Sequence, residues 1–264
     1  MIPASTIMIV RDSPGLEVLM VERHHQIDFA SGALVFPGGK VSKDDFDPRW
    51  QERLDGDENP DTRAFLIAGI REAFEESGLV LARPAGKRGK GKPFATPDDI
   101  ASLHELRGPV ADGKASFLET IANANLVLAL DALRPFAHWV TPEFMAKRFD
   151  THFFIAEAPA EQSALCDGWE TVDACWVEPG AALEQAERGE RTIIFPTRMN
   201  LEMLGRSKTK DEALTATSAR KIVTVMPKVV QDGEEMFLAI PPEAGYIATR
   251  ERIDPVMRGQ VKAG

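Results

Sequence analysis

The sequence predicts an α/β or α+β layered domain, on three observations. Short β-rich segments recur along the chain, among them Thr6 to Val10 and Phe149 to Glu157. They are interleaved with helical segments of different lengths, a pattern that packs helices against a sheet. At 264 residues, with 44% apolar and 27% charged content, the chain can bury a sizeable core.

The elements follow in order. Thr6 to Val10 and Glu17 to Glu22 flank Asp12-Ser13-Pro14-Gly15, a turn signature, and predict a hairpin. Gly32 to Phe36 is the next strand and delivers the glycine turn Phe36-Pro37-Gly38-Gly39. Residues 42–60 are polar, with Asp, Pro and Gly, and predict a loop with one short helix around Arg49 to Leu54. Asp61 or Thr62 then caps a helix that Gly78 stops. Arg83 to Pro97 is a loop holding the basic run Lys87-Arg88-Gly89-Lys90-Gly91-Lys92, a candidate phosphate grip or a solvated loop. Pro97 to Leu106 and Ser116 to Leu133 read as helices, the second amphipathic. Strands follow at His138 to Thr141, Phe149 to Glu157 and Thr171 to Val177, then helices at Pro179 to Glu187 and Pro196 to Leu204. Ile222 to Val230 and Met236 to Ile240 predict a closing hairpin across Gln231-Asp232-Gly233.

Composition excludes several classes. A net charge of −10 opposes non-specific nucleic-acid binding, which needs a basic surface. An anionic substrate must therefore meet a metal ion or a local basic patch. Cys166 and Cys175 are the two cysteines, and they imply neither a disulfide framework nor a common zinc site. No apolar run is long enough to span a bilayer. Met1 to Val10 lacks a basic leader and a cleavage site, and the final residues form no peroxisomal address, so the expected location is cytoplasmic.

The most informative stretch is Arg71-Glu72-Ala73-Phe74-Glu75-Glu76-Ser77-Gly78-Leu79. On a helix, Glu72, Glu75 and Glu76 project within roughly 100° of one another, opposite Leu66, Ile67, Ile70, Ala73 and Phe74. Three adjacent like charges are mildly destabilising on a plain surface. A hard dication such as Mg²⁺ or Mn²⁺ removes that penalty, because it wants several oxygen ligands.

With the upstream glycine turn, this stretch resembles the Nudix box, Gly-x5-Glu-x7-Arg-Glu-U-x-Glu-Glu-x-Gly-U, where U is apolar. The second half matches at every fixed position. The first half is interrupted: Gly39 to Arg71 spans 32 positions, about 18 more than in the uninterrupted box, and Asp45 stands in place of the first Glu. The resemblance implies a Nudix α/β/α sandwich with a mixed sheet, over a single domain spanning 1–264. The box at 39–79 would hold an insertion at about 42–60; extra helices at about 97–133 and a C-terminal extension at about 205–264 would be additions.

Nudix enzymes cleave a nucleoside diphosphate linked to another group, by attack of metal-activated water on phosphorus. Carried over by position, Glu72, Glu75 and Glu76 would hold Mg²⁺ or Mn²⁺, with Glu72 a ligand or the base and Glu76 catalytic. Arg71 would pair with a neighbouring Glu and fix its rotamer, and the carbonyl of Gly38 or Gly39 would complete the shell. Glu170, six residues before Trp176, is the candidate loop carboxylate, with Glu119 the alternative.

Phe136-Ala137-His138-Trp139-Val140-Thr141-Pro142, Lys147 to Phe154 and Phe195-Pro196-Thr197 resemble the peroxisomal acyl-coenzyme A diphosphatase branch and its bacterial relatives. A coenzyme A signature of a sister branch is matched in part by Leu19-Met20-Val21-Glu22-Arg23, Gly32 and Phe36 to Gly39; Asp28 replaces its second arginine and His24 its serine. The implied substrate is a small-molecule diphosphate, coenzyme A or an acyl-coenzyme A, with a nucleotide sugar or dinucleotide as alternative. Arg23, Gly38 and Arg148 are the candidate substrate contacts, and Trp139 is a further one. A Nudix-fold binding module without catalysis is the third reading; such modules typically lose box carboxylates, and this chain keeps all three.

Overall fold

The structure is a computed structural model that describes residues 1–23, 32–56, 59–164 and 171–253. Its first elements are β1 (Ile2–Asp12), β2 (Leu16–Arg23), β3 (Leu34–Val35), β4 (Gly38–Lys40), β5 (Leu54–Asp55), α1 (Pro60–Ser77) and β6 (Ala82–Pro84). Then come α2 (Pro97–Ile100), α3 (Arg107–Ala111), α4 (Phe117–Asn123), β7 (Leu126–Ala129), β8 (Arg134–Val140), β9 (Phe149–Glu157) and β10 (Thr171–Val177). The last are α5 (Pro179–Glu187), α6 (Phe195–Leu204), α7 (Lys210–Ala219), β11 (Thr224–Val225), β12 (Lys228–Asp232), β13 (Glu235–Ala239) and β14 (Arg250–Arg252).

The main sheet runs β10-β2-β1-β9-β8-β11, with β3 added to β2 and β4 to β1. β1 lies at its centre. It is parallel to β9 from Ile2↔Phe149 to Val10↔Glu157 and antiparallel to β2 and β4. A strand so placed must be apolar on both faces. Ile7 and Ile9 join the core formed with Ile67, Ile70 and Phe74 of α1. Met8 and Val10 join the opposite core, with Met199 and Leu201 of α6 and Leu214 of α7. β9 alternates likewise, Phe154 and Ala156 on the α1 side and Phe153 and Ile155 on the other. Helices thus cover both faces of a mixed sheet: an α/β/α sandwich, as the box implied.

β9, β10 and α5 have the bounds expected from sequence. Other elements differ, each for a local reason. The helix expected over Ser116 to Leu133 stops after α4, where Asn125 takes a left-handed φ of 53°. Leu126–Ala129 then becomes the middle strand of a second sheet, β5-β7-β6. Part of the expected loop Arg83 to Pro97 supplies β6, where buried Arg83 bonds Asp55 and Asp131. α1 begins at Pro60 and is capped by Asn59, not by Asp61 or Thr62: the Asn59 side chain accepts from the Asp61 amide at 3.0 Å. The stretch Ile222 to Val230 divides, β11 extending the main sheet beside β8 and β12 opening a third sheet with β13 and β14. α7 lies where the sequence predicted no element.

The insertion holds two 3₁₀ turns, Asp44–Phe46 and Pro48–Arg53, followed by β5. Trp50 anchors it, buried against Phe117 of α4 with ring centroids 5.7 Å apart, its Nε1 donating to the Asp44 carbonyl at 2.9 Å. The insertion and the helical addition therefore pack on each other beside α1. Among the described residues, no helix is long and apolar enough to cross a membrane.

Candidate active site

Nearly every residue of α1 from Ala64 to Ser77 is buried, because the sheet covers one side of the helix and the added segments cover the rest. The acidic face is included: Glu72, Glu75 and Glu76 are 7%, 9% and 4% exposed. They are not a solvated charge stripe. Carboxylates this deep need specific partners.

Arg71 is one such partner. Its Nε and Nη2 grip Asp45 bidentately at 3.0 Å each. Its Nη1 donates to Glu72 at 2.8 Å and to Glu75 at 2.9 Å, and Nη2 also donates to the Lys40 carbonyl at 2.8 Å. A guanidinium has five N–H groups, and these bonds engage all of them. Arg71 therefore orients carboxylates and has no donor left for a phosphate. Burial pulls its pKa down, but the charges of Glu72, Asp45 and Glu75 push it, on balance, above the ordinary arginine value. Asp45, where the box has its first Glu, is itself buried and accepts from the Ser42 amide at 2.7 Å.

The glycine turn closes the other side. Gly38 N donates to Glu76 Oε2 at 2.9 Å. A Cβ at Gly39 would lie 2.5 Å from the Glu72 carboxylate, so this carboxylate occupies the space that a side chain would take. Pairing of β4 with β1 fixes the peptide directions. Ile7 N bonds Pro37 O and Val41 N bonds Pro3 O, so by antiparallel alternation Gly39 turns its peptide groups toward β1 and Gly38 turns its groups away. Gly38 thus offers both an amide and a carbonyl on the carboxylate side.

Such a set, three glutamates and a peptide carbonyl, is all hard oxygen. Asp45, Glu72 and Glu75 put three carboxylates around one guanidinium, with Glu76 alongside on the Gly38 amide, and a hard dication fits that excess of negative charge. A cavity of about 180 Å³ opens alongside, lined by Ser42, Asp45, Trp50, Arg71, Glu75, Val110 and Phe117, among others. Arg107 of α3, which sequence reasoning missed, donates from Nε to the Glu75 carbonyl at 2.8 Å and holds the last turn of α1. No motif marked it, because its role arises from an added segment.

The remaining candidates lie elsewhere. Arg148 precedes β9, its Nε donating to the Thr141 carbonyl at 3.2 Å and its Nη2 to Met226 Sδ at 3.8 Å. Glu119 is exposed and paired with Arg49 at 2.6 Å, joining α4 to the insertion. Trp139 is not a base-stacking platform: it is buried in the core on the face away from α1 and donates to the Tyr246 hydroxyl at 3.0 Å. In the basic run, Arg88 donates to the Glu52 carbonyl and Gly89 N to Asp55, so the turn is anchored on the insertion. Arg23 ends β2 opposite Thr171, and its side chain lies outside the described set. Glu170, Cys166, His24 and Asp28 also lie outside the described residues.

Residues 51–204 match the profile of the NUDT19 Nudix domain. The chain belongs to the Nudix family, in its NUDT19 branch. Acyl-coenzyme A diphosphatase NUDT19 of Xenopus laevis is 27% identical over 205 residues, 64% of this chain and 54% of that protein. Its Gallus gallus namesake is 27% identical over 247 residues, 73% of this chain and 65% of that protein. This Nudix chain thus spans between half and two thirds of the length of these curated relatives. A solved NUDIX hydrolase from Alicyclobacillus acidocaldarius is similar at a TM-score of 0.68 and 25% identity, over 81% of this chain and 96% of that one. Nudix hydrolases use divalent metal ions, in keeping with the all-oxygen donor set of α1.

Proposed function

We propose that this Nudix chain hydrolyses the diphosphate bridge of coenzyme A or an acyl-coenzyme A, releasing adenosine 3′,5′-bisphosphate and 4′-phosphopantetheine or its acyl form. The observation that carries the chemistry is the buried cluster of Glu72, Glu75 and Glu76, ordered by Arg71 and packed under Gly38 and Gly39. The substrate reading is supported by the names of the relatives and by the partial coenzyme A signature from Leu19 to Gly39.

In this reading Glu72, Glu75, Glu76 and the Gly38 carbonyl hold Mg²⁺ or Mn²⁺, which supplies charge neutralisation for the diphosphate and acidifies a water. Glu72 serves as a further ligand or receives the water's proton. Arg71 and Asp45 keep the glutamates in place, and Arg71 has no donor left for a phosphate. The groove beside Trp50 and Phe117 suits a partly apolar substituent on the diphosphate. Glu170 is the proposed loop ligand and Arg23 the proposed phosphate contact, whereas Arg148 is engaged by Thr141 and Met226 away from the glutamates. The partner is a small molecule and not a nucleic acid, in keeping with the net charge of −10, and the working compartment is the cytoplasm.

Replacement of the signature's second arginine by Asp28 favours a second reading, in which a nucleotide sugar or dinucleotide is cleaved by the same residues. A panel of diphosphates assayed with Mg²⁺ or Mn²⁺ separates the two. We expect turnover of coenzyme A esters, and a drop of several orders of magnitude in Glu76→Gln with an unchanged circular dichroism spectrum. Turnover of another diphosphate with none of any coenzyme A ester selects the second reading. A chain with no rate on any member of the panel is a binding module.

A further inference from the structure

Two segments that carry the family resemblance, Phe136 to Pro142 and Lys147 to Phe154, place residues that the box chemistry does not use. His138 on β8 pairs directly across from His152 on β9, and Asp150 lies two residues before His152 on the same face. One ligand atom from each falls within 4.8 Å of the other two. The imidazole rings of His138 and His152 stack at 4.2 Å, and Phe65 of α1 covers His152 at 4.3 Å.

We propose that His138, Asp150 and His152 form a second metal site, for a divalent transition ion of the zinc, cobalt or nickel class. Two imidazoles and a carboxylate are the donors such ions prefer, whereas Mg²⁺ and Mn²⁺ favour oxygen. His138 Nε2 already faces Asp150 Oδ1 at 2.5 Å. An ion between them would open the pair to the roughly 3 Å that neighbouring ligands keep around a metal. His138 Nδ1 bonds Thr224 Oγ1 of β11 at 2.8 Å, an outer contact that leaves Nε2 as the ligating nitrogen. Three protein ligands leave a coordination position open for water or a small donor.

This site is separate from the box. Gly39, Ser5, His152 and His138 form one row across β4, β1, β9 and β8, which sets His138 about 14 Å from the glycine turn at about 4.8 Å per strand. The ion would tie β8 to β9, one strand in from β11, beneath Phe65 near the start of α1.

The test is a titration of the chelator-treated full chain with Co²⁺ in excess Mg²⁺, read by visible absorption. We expect one equivalent of imidazole-bound cobalt, retained in Glu76→Gln and lost in His138→Gln and His152→Gln. Thr224→Val, which leaves all three ligands in place, should weaken Co²⁺ binding about tenfold, and Asp150→Asn should weaken it at least as much while keeping the side-chain shape. No cobalt absorption in the wild type overturns the proposal. So does a signal lost in Glu76→Gln, or one undiminished in the Asp150 and Thr224 variants, which do not depend on the histidine variants folding.

Discussion

Gly38 and Gly39 are neighbours in sequence, yet a methyl group on each meets a different obstacle. At Gly38 it would lie 2.6 Å from the Ser5 carbonyl oxygen and 2.8 Å from Thr6 Cα, which are backbone atoms of the central strand and cannot yield. At Gly39 its three nearest neighbours are all atoms of the Glu72 carboxylate, the far end of a side chain, which can swing aside. Gly38→Ala should therefore lower stability by about 3 kcal/mol, as overpacking does, through loss of β4 pairing. Gly39→Ala should leave the urea midpoint almost unchanged while diphosphatase activity falls about a hundredfold or more, in line with misplacement of a reacting group. A Gly39→Ala protein with normal turnover removes Glu72 from the proposed chemistry. Residue identity at this scale was legible: the spacing placed Glu72, Glu75 and Glu76 on one face and Asp45 in the slot of the missing Glu. Saturation of Arg71 was not legible, since one of its five bonds goes to the Lys40 carbonyl, which no side-chain pattern announces.

At the scale of elements, α1 depends on its ends. Asn59 caps it, Pro60 occupies the first position, and Gly78 closes it with a left-handed φ of 74°. Asn59→Ala should lower stability by about 1 kcal/mol in urea unfolding; an unchanged midpoint means that the helix start is held by packing alone. Gly78 was readable because a helix stop needs a positive φ. Asn59 was obscured by Asp61 and Thr62, which are equally good caps by type, although Pro60 marks the first turn. β7 was misread because Leu126 to Leu130 is a short apolar run without alternation, which fits a buried helix as well as a buried strand. For α7 the signal existed: Thr209 and Glu212 have the spacing of a reciprocal cap, and the Thr209 side chain accepts from the Glu212 amide.

For the molecule as a whole, layering was legible from interleaved strands and helices, but strand order was not, because periodicity does not encode which strands pair. Pairing of β8 with β9 has a consequence for acid stability. Burial, and then the charge of neighbouring His138, lower the pKa of His152 from 6.5 to about 4, with Asp150 opposing. The unfolded chain thus binds a proton more readily than the folded one between those values. In chelated protein this contribution to stability is complete above about pH 6.5 and is lost as pH falls toward 4; it amounts to roughly 2 kcal/mol, allowing for partial exposure. Urea unfolding at about pH 7 and pH 4 should show the wild type losing that much more than His152→Asn, and equal losses refute the assignment. The clasp between Asp45 and Arg71 has another consequence. It joins residues 26 apart, so both ends of the interrupting segment are fixed next to the glutamates, whatever lies between. Closing a longer loop costs only about 0.6 kcal/mol per doubling of its length. Between Asp55, held by Arg83, and Asn59, the cap of α1, such a chain can therefore accept grafted sequence and acquire new neighbours for its substrate, with Trp50 and the geometry from Gly39 to Asp45 and from Arg71 to Glu76 left as they were.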